Sequence, residues 1–324
     1  MRRVAFIGLI LIGFAGAGCP GSDPDFSQPT VDADTPVPDA AFETGTGVPT
    51  PLNITNWNVK NLYNTVRDSP EVAQADEIIL GATEYQAKLS GIAKVLNDLK
   101  SDVVVLQEVE NKNVVKDLAA AAGRFPHQHI TTGNDPRGID IAILSDHPFG
   151  PVLSHKDEFF QASSDPTRNF KFARDVLEAH LSFNGRHVVL LGVHWKSGTD
   201  PDSQLKRLAE AEQTRRIGTQ VKFADPSAMV VMLGDFNDVP GSPPMVALGG
   251  AAPLEFLSAT ENVPPNERWS VTFGGAKLFD DQILDATALS LTDRVFNTSV
   301  VIQHGAEVDA VADHDPVRVT YQVK

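Results

Sequence analysis

The chain has a single cysteine in 324 residues, Cys19, so an intrachain disulfide is excluded in any compartment. Aromatic residues are scarce at 7 %, with three Tyr and three Trp, which leaves little material for stacking platforms or lipid-inserting loops. Positive charge is in deficit: 27 Lys and Arg stand against 42 Asp and Glu, a net charge of −15. The acidic excess persists when the first 51 residues are set aside. This argues against a protein that holds nucleic acid on a broadly basic face. It leaves room for one that meets phosphate with a few local cations and a bound metal. No internal repeat is evident, and the one early apolar run is too short to span a bilayer.

That run belongs to a secretory signal. Arg2 and Arg3 precede apolar residues Val4 to Phe14, then small residues Ala15 to Gly18, then Cys19. A lone cysteine in this place resembles the lipid-modified residue of bacterial lipoproteins, although Gly16 stands where Leu is usual. The alternative is a plain signal peptide cleaved near Ala17. Residues 20–51 are rich in Pro, Asp, Thr and Gly and carry acidic residues without basic partners, the composition of a self-repelling tether. The expected organisation is a signal peptide at 1–18, a lipidated Cys19 with its tether at 19–51, and one folded domain at 52–324. Export follows, either to the periplasm or cell surface with a membrane anchor at Cys19, or by secretion.

The remaining residues alternate strand and helix patterns. Leu52 to Val59 reads as a buried strand. Tyr85, Leu89, Ile92, Leu96 and Leu99 recur in steps of four and three, a helix stripe. Val103 to Leu106 is a short apolar strand, Asn113 to Ala122 a helix, and Ile139 to Leu144 a strand. Val176 to Phe183 and His187 to Val193 flank Asn184-Gly185, a two-residue hairpin turn. Pro201 to Val221 reads as a helix and Ala228 to Leu233 as a buried strand. Arg268 to Phe273, Gln282 to Leu284, Val295 to Ile302 and Val317 to Val323 complete the strands. With no composition break, these make one mixed domain.

Chemistry-bearing residues cluster where strands meet loops. The segments are Asn56-Trp57-Asn58-Val59, Leu106-Gln107-Glu108-Val109-Glu110, His194-Trp195-Lys196-Ser197, Gly234-Asp235-Phe236-Asn237-Asp238 and Ala312-Asp313-His314-Asp315-Pro316. Carboxylates, amides and histidines delivered to strand ends are the parts of a metal-assisted phosphoester hydrolase. Magnesium takes oxygen ligands, such as Asn58 and Glu108 offer. Asp235 and Asn237, two residues apart, can converge on one water, the carboxylate taking its proton and the amide orienting it. Each feature alone has a plainer reading. Asn58 could cap a turn, Glu108 could be a solvated carboxylate, Gly-Asp-Phe-Asn-Asp could be a simple turn, and His314 a surface residue.

Together the segments resemble the endonuclease/exonuclease/phosphatase superfamily, over essentially all of residues 52–324. The resemblance implies an α/β fold, a four-layer sandwich of two packed mixed β-sheets flanked by helices. It implies a Mg²⁺ or Mn²⁺ ion held by Asn58, Glu108 and Asp313, with Glu110 a rival ligand. Asp235, Asn237, His194 and His314 fall at its catalytic positions. Asp281 matches the carboxylate that orients His314, with Gln282 where His is frequent and Asp280 leaving the register open by one. Arg137 falls near the family's Tyr or Arg substrate-phosphate contact, and Arg174 matches a residue that steadies the active-site carboxylates. Lys196 reads either as a local cation for a flanking phosphate or as a solvated lysine. Asp235 and the His314–Asp281 pair are both candidates for the general base. Gln204, Arg207 and Arg215 read as an exposed helix face, Trp57 and Trp269 as core, Asp140 as buried near the site, and Asp238 as structural.

The implied function is divalent-metal-dependent phosphodiester hydrolysis by a monomeric exported nuclease, with nucleic acid as partner. The alternative substrates are a phospholipid or a small phosphoester. A rival of another class is a surface lipoprotein that keeps the fold for binding alone. A basic groove at Arg137, Lys196 and Arg207 would favour nucleic acid, and an exposed aromatic hairpin beside the site would favour lipid.

Overall fold

The computed structural model describes residues 47–69, 72, 77–251, 254–279, 281–286 and 297–324, with backbone alone at 30–31, 282–286 and 297–298. The signal segment, Cys19, most of the tether and Asp280 lie outside the described residues.

In chain order, β1 (Thr30–Val31) and β2 (Thr50–Leu62) lead to α1 (Ala82–Asp98), β3 (Val103–Val109), α2 (Lys112–Ala122), β4 (His127–Thr131) and β5 (Asp140–Ser145). Next come β6 (Phe149–Ser154), β7 (Phe160–Ala162), β8 (Asp165–Phe170), β9 (Val176–Phe183), β10 (Arg186–His194), α3 (Pro201–Ala224) and β11 (Met229–Asp235). The last third holds α4 (Pro243–Gly249), β12 (Gly250–Ala251), β13 (Leu254–Ser258), β14 (Val271–Phe273) and β15 (Ala276–Leu278). It ends with β16 (Asp281–Ala286), β17 (Asn297–Ile302), α5 (Ala306–Asp309) and β18 (Val317–Val323).

Local chemistry sets the boundaries. Asn111 caps α2 by accepting from the Asn113 and Val114 amides, and Gly123 ends it in the left-handed conformation. Asp200 caps α3 by accepting from Ser203, with Pro201 at the first helical position. Asn184 (φ 48) and Gly185 (φ 77) are both left-handed, the turn that joins two twisted strands directly.

Two sheets result. One has the order β17-β18-β2-β3-β5-β4, the other β1-β6-β9-β10-β11-β16-β13-β12. Each has one parallel pair, β2 with β3 and β10 with β11; the other neighbours run antiparallel. The inner faces pack Leu52, Ile54, Val103 and Val105 against Val188, Leu190, Val231 and Leu233. Helices α1 and α2 cover the outer face of the first sheet, and α3 and α4 that of the second. The product is the mixed α/β sandwich of four layers. Burying each such aliphatic side chain contributes roughly 1.5–3 kcal/mol, so these three layers of apolar contact hold the sheets in fixed relation.

A polar cluster also fastens α3 to the outer face of its sheet. His155 is buried between Glu158 (2.7 Å from Nδ1) and Glu178 (2.9 Å from Nε2). Gln213 and Arg216 of α3 both donate to Glu158. Burial opposes charge on His155, but the two carboxylates outweigh it and raise its pKa to about 9.

Candidate active site

The parallel pairs explain where the site lies. On the inner face of β2 the residues run Leu52, Ile54, Asn56, Asn58, turning from apolar to polar toward the strand's end. On β3 the same face runs Val103, Val105, Gln107; on β10 it ends at His194, and on β11 at Asp235. Because side chains alternate along a strand, the period that buries the core also delivers these polar groups inward. Asn58 pairs in register with Gln107, and His194 with Asp235. Gly234 permits the closeness of β10 and β11: a Cβ there would lie 2.0 Å from the Val193 carbonyl oxygen.

Asp235 is buried and multiply held. Its Oδ2 accepts from Asn58 Nδ2 at 2.9 Å and its Oδ1 from the Asn237 backbone N–H at 2.9 Å. His194 Nε2 lies 3.6 Å from Asp235 Oδ2. Burial, reinforced by the nearby Arg174 and Arg137 charges, depresses the His194 pKa well below its ordinary value. The contact is therefore between a carboxylate and a neutral imidazole, not an ion pair. Asp281, next to Asp235 in the sheet, accepts from His314 Nδ1 at 2.5 Å. Asn56 Nδ2 approaches the other Asp281 oxygen at 3.5 Å and is itself held through its Oδ1 by Gln107 at 2.8 Å. Burial lifts Asp281 to about 6. Burial also opposes charge on His314, but Asp281 overrides it and raises the imidazolium pKa well above its ordinary value. Asp235, Asp281 and His314 present ligand or proton-transfer atoms that all lie within 4.8 Å of one another.

A second group forms around a bulge in β2. The step from Asn58 to Leu62 faces the shorter step from Gln107 to Val109, so two residues, Lys60 and Asn61, are extra. Both are left-handed, at φ 53 and 49, as is Glu108 at φ 66. Non-glycine residues take this conformation at a cost, and such strain gathers at functional sites. Here it turns backbone donors onto the ligand candidates. The Lys60 N–H donates to Asn58 Oδ1 (3.0 Å) and the Asn61 N–H to Glu108 Oε2 (2.8 Å). Lys60 Nζ pairs with Asp313 Oδ2 at 3.2 Å. The bulge thus touches Asn58, Glu108 and Asp313 in turn, all oxygen donors of the kind that suits Mg²⁺ or Mn²⁺. Asn58 joins the two groups, since its amide nitrogen donates to Asp235.

Arg137 and Lys196 sit at the rim. Arg137 makes a fork to Asp135 at 3.0 and 2.8 Å and keeps an exposed guanidinium face. Lys196 is half-buried with Nζ on the Ser197 carbonyl. Arg174 does not touch Asp235 or Asp281, contrary to the expectation that it steadies the active-site carboxylates. It is buried, donating to Asp135 Oδ2 (2.7 Å) and to the Trp195 carbonyl (2.8 Å), which also accepts from Asn237 Nδ2 (3.1 Å). It therefore ties together the loops that carry Arg137, His194 and Asn237.

Other expectations change. Arg207 and Arg215 are not an exposed helix face. Arg207 is buried, paired with Asp238 (3.0 Å) and donating to the Lys196 and Gly198 carbonyls, which confirms Asp238 as structural. Arg215 donates to the Leu248, Gly249 and Leu254 carbonyls, while Gln204 alone of the three is exposed. Loop carbonyls left unpaired at helix and strand ends draw these guanidinium groups inward. Glu110 stands apart from Asn58 and Glu108, in a separate carboxylate group that could itself hold an ion. It turns to Asp68 and Glu77, accepting from the Asn64 N–H (2.7 Å) and Ser69 Oγ (3.0 Å). Trp57 is fully buried and donates to the His314 carbonyl, whereas Trp269 is half-buried, with His304 stacked on its ring at 4.0 Å and Lys277 Nζ 3.8 Å from its centroid. Asp140 is buried and accepts from the Gly133 N–H.

Asn56, Gln107, Lys60, Asp135 and Glu210 had no assigned place in the sequence reading. For Asn56 a signal existed: it stands two residues from Asn58 on a strand whose other inner residues are apolar. Glu210, fully buried on α3, accepts from the Ala173 and Lys196 backbone N–H groups and so clamps the loops of Arg174 and His194; among the alanines of a helix nothing announces it.

A family model, described as the Endonuclease/Exonuclease/phosphatase family, matches residues 53–252. No curated protein sequence matches the chain significantly. Solved structures do. D. rerio TDP2 complexed with single strand DNA product aligns with a TM-score of 0.58 at 19% identity, covering 85% of this chain and 100% of that one. Truncated Caenorhabditis elegans TDP2 gives 0.57 at 14% identity, over 84% of this chain and 98% of its own. An endonuclease/exonuclease/phosphatase family protein from Bacteroides thetaiotaomicron gives 0.54 at 14% identity, over 85% and 99%. At such identities these similarities establish a shared fold.

Proposed function

This chain belongs to the endonuclease/exonuclease/phosphatase family, and from that membership and the site geometry we propose that it is a divalent-metal-dependent phosphodiester hydrolase. The observation that carries the reading is the convergence of Asp235, Asp281 and His314 at the polar end of the sheet core, linked by Asn58 to the oxygen donors at the bulge. A Mg²⁺ or Mn²⁺ ion held by Glu108, Asn58 and Asp313 would draw charge from the scissile phosphate.

The chain's own groups supply the rest. Asp235 takes the proton of the attacking water as the new oxygen–phosphorus bond forms. Asn237 and Asn58 fix that carboxylate. His314 is a poor base because Asp281 holds its Nδ1 and favours the imidazolium. Its Nε2 is free to give a proton to the leaving oxygen as the old ester bond breaks. Neutral His194 can donate from Nε2 to a phosphoryl oxygen that gains charge in the transition state, a service worth about 10² to 10³ in turnover.

Nucleic acid is the substrate we place first, supported by the fold shared with a TDP2 that was crystallised with a DNA product. The inward turn of Arg207 removes one side of the basic groove expected for it. A second reading, a lipid phosphodiester, is supported by the β14–β15 hairpin. Val271 bridges to His314, and Phe273, two residues on, is 68% exposed beside the Gly274-Gly275 turn.

The test uses the full chain with supercoiled plasmid and with a lipid phosphodiester, in Mg²⁺, Mn²⁺ or EDTA, with His314→Ala as control. Metal-dependent nicking lost in the control is expected. Lipid cleavage without nicking would move the substrate to the second reading. A folded protein silent on both would refute the nuclease and the lipid readings together, leaving a small-phosphoester hydrolase or a binding lipoprotein, which the presence or loss of divalent-ion binding separates.

A further inference from the structure

The bulge in β2 brings a positive charge to a place meant for a metal. Lys60 Nζ lies 3.2 Å from Asp313 Oδ2, and both side chains are about half exposed, at 54% and 51%. A second ammonium, Lys88 of α1, donates to the Lys60 carbonyl and lies close enough to Glu108 and Asp313 for their charges to act on it. The root of the Lys60 side chain is fixed. Its left-handed backbone (φ 53) is set by the bulge and by the N–H donated to Asn58 Oδ1. The four-carbon stem beyond that root is free to swing.

A dication and an ammonium cannot both sit against the Asp313 carboxylate without repelling each other. A half-exposed lysine–aspartate pair is weak, so it yields. The ammonium then stands, unpaired, beside the position where a phosphate must approach Glu108 and Asn58.

We propose that Lys60 is a displaceable counter-cation: it neutralises Asp313 until a divalent ion takes that carboxylate, and the released ammonium then binds a phosphate of the substrate. The proposal rests on the hydrolase reading above. It gives one side chain opposite effects on two ligands. As a competitor it weakens metal binding, and as a phosphate contact it strengthens substrate binding.

The experiment compares the full chain with its Lys60→Gln variant. Mn²⁺ is titrated into the free protein by calorimetry at low salt, and a phosphodiester is then hydrolysed at saturating Mn²⁺. Lys60→Gln is expected to bind Mn²⁺ about three- to tenfold more tightly, while KM rises by a similar factor and kcat moves little. Both shifts should shrink in 0.5 M salt, as screening requires. Lys60→Arg should stay near wild type in both. A purely structural role would weaken metal and substrate binding together. Should Lys60→Gln fold poorly, Lys60→Asn removes the charge with a residue that tolerates the left-handed backbone. Unchanged or weaker Mn²⁺ binding in a folded, active variant overturns this inference alone. Absence of any divalent-ion binding in the wild type overturns the hydrolase reading with it.

Discussion

Replacing Arg174 by Met tests whether one buried guanidinium holds three site loops in place. The side chain is 7% exposed and makes charge-assisted hydrogen bonds to Asp135 Oδ2 and to the Trp195 carbonyl. Each is worth about 1.5–3 kcal/mol, and breaking a buried pair outright costs about 3–5 kcal/mol. Asp135 would keep its fork to Arg137, so the loss belongs at the low end, about 3 kcal/mol at neutral pH. Chemical denaturation with a constant m-value measures it. The pH dependence gives the sharper test. Burial works against charge on Asp135, but Arg137 and Arg174 outweigh it and hold its pKa below the ordinary value. A carboxyl depressed in the folded state stabilises above its unfolded pKa, about 3.9, and that share is lost as pH falls through the folded value. The variant has less of this share to lose. The gap between wild type and Arg174→Met should therefore narrow between pH 7 and pH 3 or below. A gap under 1 kcal/mol at neutral pH, or one that widens in acid, would refute the account.

His155 makes the opposite prediction at alkaline pH. Its folded pKa of about 9 exceeds the unfolded value, so its stabilisation is complete below about pH 6.5 and lost as pH rises through 9. Denaturation at pH 7.5 and 10 should differ by about 2 kcal/mol in the wild type and by much less in His155→Gln; equal slopes would remove the Glu158–His155–Glu178 cluster from the explanation. Lipid anchoring at Cys19 predicts that the expressed protein partitions with membranes and that Cys19→Ala releases it; a wild type found wholly in the soluble fraction would sink that proposal.

The sequence disclosed some parts of this molecule far better than others. Strands β9 and β18 have the bounds the residues suggest, because the alternation of apolar and polar residues is visible in a single segment. Strand β4 gives no such signal: His127 to Thr131 is half-buried throughout, and its place depends on pairing with β5. Helix α4 hides behind Pro243 and Pro244, tolerated only because they fill its first positions after the Ser242 cap. The site residues were legible as strand-end motifs. Their supports were not, because Arg207, Glu210 and Arg174 are charged residues whose burial is decided by distant backbone groups. The choice between Asp280 and Asp281 was likewise invisible in one dimension; Asp281 is the residue that meets His314.

The two extra residues of β2 carry a consequence for how such a chain can change. Deleting Lys60 and Asn61 would let Leu62 follow Asn58 at the spacing with which Val109 follows Gln107, leaving an unbroken ladder without two left-handed residues. Selection for heat tolerance alone would reward that shorter strand. It would also strip the backbone donors from Asn58 and Glu108. A lineage, or a designer, that smooths this strand gains a sturdier sandwich and gives up the geometry on which its chemistry depends.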